Sequence, residues 1–192
     1  MRAERIHLSE NRIPAQRLRK RSYRSFATGF KLWSYPEYSN MKESKGKLHQ
    51  QVAIITGASS GIGAGVAVAY ARAGAKVVVN YSNSENKAKK VLSEVMGLGA
   101  ERFMIKADVS KEDDVKRMFS ETIQRFGTVD ILVNNAGLQK DAAFHDLTLE
   151  EWNRVIAINL TGQFLCAREA VKEFLRRGVV PERSKAAGKI IC

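Results

Sequence analysis

Gly57, Gly61 and Gly63 stand in the run Thr56-Gly57-Ala58-Ser59-Ser60-Gly61-Ile62-Gly63. The apolar residues Val52-Ala53-Ile54-Ile55 come directly before it and an alanine-rich stretch directly after it. Glycines placed between a strand and a helix serve the binding of anions. Gly57 permits a tight turn, Gly61 has no Cβ and lets backbone approach a ligand, and Gly63 lets the next helix pack closely. The N–H groups of the turn, through Ser59, Ser60, Gly61 and Ile62, then face the anion along with the helix dipole. The anion that such a strand–turn–helix holds is the pyrophosphate of a dinucleotide.

Other chemistries lack their residues. His7, His49 and His145 are isolated, and neither Cys166 nor Cys192 has a His or Cys neighbour at ligand spacing, so no metal site is expected. No Ser/His/Asp set is apparent. One Tyr-x-x-x-Lys occurs, Tyr38 to Lys42, with Ser25 upstream. It lies in a polar segment before the first strand, where nothing would carry it to a site, and its spacing reads as coincidence.

The elements that must position the turn follow from hydrophobic patterning. Strands are expected at Val52–Ile55, Lys76–Asn80, Arg102–Lys106, Ile131–Asn134 and Lys189–Cys192. Helices are expected from Ile62 to Ala73, from Glu85 to Met96, from after Ser110 to Gly127, and from Thr148 to Arg177. Ser110 with Asp113 comes close to a capping box, and Thr148 with Glu151 completes one. Strands alternating with helices predict a doubly wound parallel α/β sheet, Rossmann-like, with its ligand at the carboxyl ends of the strands.

The spacing Gly-x-x-x-Gly-x-Gly, from Gly57 to Gly63, resembles the classical short-chain dehydrogenase/reductase family, and the resemblance runs from about Leu48 to Cys192. Asp108-Val109 resembles that family's adenine contact. Asn134-Asn135-Ala136-Gly137 resembles its second signature, which steadies the central sheet and lines the nicotinamide side. Asn159, in Ile158-Asn159-Leu160-Thr161-Gly162, matches the asparagine that supports a proton relay. The resemblance implies an NADP- or NAD-dependent oxidoreductase that moves a hydride between nicotinamide and an alcohol or carbonyl. It also implies a homo-oligomer, a tetramer in the complete enzyme. The family's Ser and Tyr-x-x-x-Lys follow strand five, so the chain is expected to be a fragment that stops inside that strand and retains only Asn159 of the catalytic set. The short runs from Asn80 to Ser82, Asn135 to Leu138, Glu151 to Asn153 and Arg168 to Ala170 look most like glucose 1-dehydrogenases, which implies a sugar substrate. The 3-oxoacyl carrier-protein reductases share much of the pattern, and an inactive fragment that binds nucleotide or a homologous subunit is the third reading. Phe164, Val171 and Phe174 on the last helix could serve such partners, or could face the sheet.

A carboxylate at the end of strand two would bind the adenosine ribose and repel a 2′-phosphate. Asn80 stands there, followed by Tyr81 and Ser82, so either cofactor is expected, with NADP slightly favoured. Lys87 and Lys89 are read as a solvated helix face.

Charge is uneven along the chain. The whole carries +12, but residues 1–47 hold twelve Lys/Arg against four Asp/Glu, and the remainder twenty against sixteen. The excess sits in the tail, so no nucleic-acid partner is expected. Residues 1–46 read as a basic, disordered extension, with Met41 as an alternative start, and residues 47–192 as the dinucleotide-binding domain. No apolar run is long enough for a membrane span, and the expected location is the cytoplasm.

Overall fold

A computed structural model describes residues 46–192. Residues 1–45 of the basic extension, with Met41 and the Tyr38–Lys42 pair, lie outside the described residues.

The central strands carry continuous apolar runs, Val52–Ile55, Val77–Val79 and Ile131–Val133, because both of their faces are covered. In chain order the strands are β1 (Val52–Ile55), β2 (Lys76–Tyr81), β3 (Arg102–Lys106), β4 (Ile131–Val133) and β5 (Lys189–Ile191). Alternate residues go to opposite faces. Ala53, Ile55, Val77, Val79, Ile131 and Val133 pack under helices α1 (Gly61–Arg72) and α2 (Glu85–Gly97). Ile54, Val78, Phe103, Ile105 and Leu132 pack under α3 (Glu112–Phe126) and α5 (Gly162–Arg177). Full burial of one such aliphatic side chain stabilises the fold by about 1.5–3 kcal/mol.

All strand pairs are parallel, in the order β3-β2-β1-β4-β5. Strand order therefore reverses beside β1, between β1 and β4. Ile55 is level with Val79 on one side and with Val133 on the other, so the loops after β1, β2 and β4 leave the sheet together. β5 forms one edge of the sheet, with Ile190 and Ile191 partly exposed. Among the described residues, no helix is long and apolar enough to cross a membrane.

Two local expectations change. The last helix is not uniform. It begins as α4 (Leu149–Ile156), widens into a π turn over Ala157–Thr161, and resumes as α5. A π turn accommodates one extra residue without ending the helix, and such turns often occur at functional sites. The near-box at Ser110 does not form either. The Ser110 hydroxyl donates to Asp108 Oδ1 at 2.7 Å, while α3 starts after Lys111 without a side-chain cap. Asp108 is two residues from Ser110 and captures its hydroxyl first. The Thr148–Glu151 box is present in both directions.

Candidate functional site

Thr56, fully buried at the end of β1, ties the two glycine-bearing loops together. Its hydroxyl donates to the Val133 carbonyl at 3.2 Å and accepts from the N–H groups of Asn135 and Ala136, both at 2.9 Å. The Asn135 amide returns the bond, donating to the carbonyls of Thr56 at 2.9 Å and Gly57 at 3.3 Å. Asn134 turns the other way, and its amide donates to the Gln163 carbonyl on α5 at 3.2 Å. The loop after β4 is thus fixed to the loop after β1 on one side and to α5 on the other.

The glycines fit into this lock. Gly57 has φ +61°, and a β-carbon there would stand 2.9 Å from Ala136 Cα. A β-carbon on Gly63 would stand 2.7 Å from the Gly57 carbonyl oxygen and would collide with the Asn135 amide. The close approach at Gly63 is therefore to the loop itself. Gly61, at φ +57°, has open space where a side chain would be.

The start of α1 is left electrically open. Its first-position neighbour Ser60 is extended, and among the described residues its side chain caps nothing. The first turn of α1 holds no acid, whereas α3 begins Glu112-Asp113-Asp114 and α4 closes its own capping box. Both α1 and α3 start without a side-chain cap, but of these three helices only α1 combines uncapped N–H groups with a first turn free of acids, which favours an anion there.

A cavity of 510 Å³ lies over these strand ends, within the size range of ligand sites. Gly57, Ser59 and Ser60 line it from β1; Ser82, Asn83 and Ser84 from β2; Asp108 and Val109 from β3; Asn135, Ala136 and Gly137 from β4. The structure thus brings most of the expected residues around one cavity. Gly61, Ile62, Gly63 and Asn159 do not line it, and Ile62 is 81% exposed. Asn80 borders it but is itself buried, its side chain directed at backbone groups. Asp108 accepts from the N–H and hydroxyl of Ser110, and its own N–H donates to Asp114 at 2.8 Å. That backbone bond outweighs desolvation and, with Arg117, holds the Asp114 carboxyl below its ordinary range. Asn159 sits in the π turn and grips the backbone of Leu138 twice, accepting from its N–H at 2.7 Å and donating to its carbonyl at 2.9 Å.

Comparison with known proteins agrees with this geometry. A family model described as short chain dehydrogenase matches residues 51–192. The chain belongs to the short-chain dehydrogenase family. It is 41% identical over 144 residues to short chain dehydrogenase claC of Passalora fulva, covering 75% of this chain and 54% of that protein. It is 44% identical over 125 residues to the 3-oxoacyl-[acyl-carrier-protein] reductase FabG of Staphylococcus epidermidis, covering 65% and 51%. A short chain dehydrogenase of Burkholderia cenocepacia, solved in complex with NADP, superposes with a TM-score of 0.65 at 31% identity, covering 66% of this chain and 52% of that one. The chain spans about half the length of the relatives it matches.

Within this member of the family, sequence reasoning missed three features. The hub role of Thr56 had a signal, since a hydroxyl one residue before the first glycine can reach the neighbouring strand end. Arg154 lines the cavity from α4 and also a second one beside it, bounded by Leu138, Lys140 and Thr148. The π turn that carries Asn159 left no mark in the hydrophobic spacing.

Proposed function

We propose that this chain forms the dinucleotide-binding part of an oxidoreductase that moves a hydride between a nicotinamide cofactor and the alcohol or carbonyl carbon of a small molecule. The observation that carries the reading is the uncapped, acid-free start of α1 beneath a cavity lined by hydroxyls and amides. Gly57, Ser59, Ser60, Gly61 and Gly63 would cradle the pyrophosphate, Asp108 and Val109 would border the adenine, and Asn135, Ala136 and Gly137 the nicotinamide side. The bound cofactor supplies or accepts the hydride. Asn159 holds Leu138 at the mouth of the cavity and is the one residue here that matches the family's catalytic set.

The cavity wall after β2 is Ser82-Asn83-Ser84, without a carboxylate, and this supports NADP(H) at least as well as NAD(H). The relative named as a 3-oxoacyl carrier-protein reductase supports a 3-oxoacyl thioester as substrate. The runs around Asn80, Trp152 and Arg168 support a sugar oxidised at its anomeric carbon. Leu160, Phe164 and Leu175 lie well exposed along α4–α5 with Val171, while Phe174 is buried in the core, and this face supports a homo-oligomer. Burial pushes the Cys166 thiol up to about 12, so it is inert.

Fluorescence titration with NADPH and NADH tests the reading. Saturable binding with NADPH preferred or equal is expected; absence of binding, or a large preference for NADH, overturns it. Assay of an enzyme carrying both halves, with an acetoacetyl thioester plus NADPH against glucose plus NADP, separates the two substrates.

A further inference from the structure

Asn80 occupies the strand end where a ribose-reading side chain is expected, yet it is 1% exposed. Its Oδ1 accepts from the Gly57 N–H at 3.1 Å. Its Nδ2 donates to the Ala107 carbonyl at 3.0 Å and, more weakly, to that of Ile105 at 3.4 Å. Its own backbone carbonyl accepts from the Ala58 N–H at 2.8 Å. One amide therefore joins the ends of β1, β2 and β3, with its acceptor toward the glycine turn and its donor toward β3.

The geometry points to Asn80 as a positioning residue that sets the phosphate-binding turn before any ligand arrives, and not as a reader of the cofactor's ribose. Gly57 is where the chain leaves β1 with φ +61°, and its N–H must be directed somewhere. Asn80 directs it inward, which fixes the peptide plane from which the next N–H groups of the turn project. Only a side chain with an acceptor and a donor on one planar group satisfies both sides. A carboxylate accepts from Gly57 but repels the Ala107 and Ile105 carbonyls, and a hydrocarbon does neither. The polar groups left to face the ribose are those of Ser82, Asn83 and Ser84. A turn already in its binding geometry spares the ordering cost that a loose one meets on binding.

This inference rests on the cavity's being a nicotinamide-dinucleotide site, and its test separates the two. Wild type, Asn80→Ala and Asn80→Asp of the full 192-residue chain are compared by NADPH titration, by far-UV circular dichroism, and by amide exchange at Gly57. In folded Asn80→Ala, NADPH affinity is expected to fall at least about tenfold, with fast exchange at Gly57, because a buried N–H loses its acceptor. Asn80→Asp is expected to bind poorly at neutral pH and to approach wild type as the pH falls, since a protonated carboxyl again offers one donor and one acceptor. A purely structural role predicts lowered melting temperature without that pH-dependent recovery. Asn80→Ala binding NADPH within about twofold of wild type, or Gly57 exchanging equally in both, overturns the assignment. If Asn80→Ala does not fold, the pH recovery of Asn80→Asp decides. If wild type itself binds no NADPH, the dinucleotide reading fails, and Gly57 exchange still tests the role of Asn80.

Discussion

The two ends of the sheet are built on opposite plans. At the amino end, polar side chains are brought together and pair with one another, although the buried Arg177 Nε finds no partner among the described residues. Asp130, 1% exposed, accepts from the Val52 N–H at 2.8 Å and from Arg177 at 2.7 Å, with Arg183 at 3.5 Å. Lys189 reaches Gln51 at 2.7 Å, Thr128 donates to Glu173 at 2.7 Å, and Arg177 also holds the Ala187 carbonyl. At the carboxyl end, bonds are spent on shaping loops, through Thr56, Asn80, Asn135 and Asn159, while the start of α1 keeps its N–H groups free. The amino end closes upon itself and the carboxyl end stays open to a ligand. The same backbone gives both, so the difference lies in where side chains finish their hydrogen bonds.

The comparison breaks most sharply if an amino-end change alters binding. Asp130→Ala leaves Arg177 buried without its partner and is expected to cost about 3–5 kcal/mol in urea unfolding. NADPH affinity of the folded fraction should stay within about twofold, since additivity holds for groups without shared partners. A tenfold change in affinity would show that the two ends are coupled. At the other end, Gly63→Val drives atoms into the Gly57 carbonyl and the Asn135 amide. NADPH binding is expected to weaken about a hundredfold, as displaced positioning groups commonly do. Retained binding in the titration would mean that the loop relaxes at little cost.

Thr56→Val probes a residue that belongs to both plans, a satisfied buried hydroxyl that also shapes the site. Its loss removes the hydrogen-bond acceptor of the Ala136 N–H and should cost about 1–3 kcal/mol in denaturant unfolding, with weaker NADPH binding alongside. A stability loss without any loss of binding would separate packing from positioning at this residue. Thr56 also shows how far the sequence could be read. The strand before it and the glycines after it are legible, because apolar runs such as Val77–Val79 signal two covered faces, and glycines at those spacings have few other uses. The Thr148–Glu151 box is legible because both partners are three residues apart. The direction of Asn80 is not, since a strand-end position does not say whether a side chain turns to the cavity or under it. Nor is the amino-end network, because Gln51, Asp130, Arg177 and Lys189 meet only once the sheet has brought distant segments together. The π turn hides for a different reason. Apolar residues recur at helical spacing on both sides of it, and the extra residue is absorbed inside one turn.

The mildest test is one proton at Glu173. Burial alone would raise this carboxyl, but hydrogen bonds from Arg176 and Thr128, with the charges of Arg176 and Arg177, outweigh it and hold the group below the ordinary carboxylate range. A folded-state value below the unfolded one means that the unfolded chain binds the proton more readily. The stabilisation is therefore complete above the unfolded carboxylate range and is lost as the pH falls through the lower, folded value. Urea unfolding of wild type should show stability declining with acid in that window, and Glu173→Gln should flatten the decline while lowering stability at neutral pH. Thr128 and Glu173 lie at the amino end, far in the fold from the glycine turn. The same acid range should therefore leave the ratio of NADPH affinities between Glu173→Gln and wild type unchanged. A ratio that moved with pH would tie this carboxylate to the ligand end and dissolve the division between the two plans.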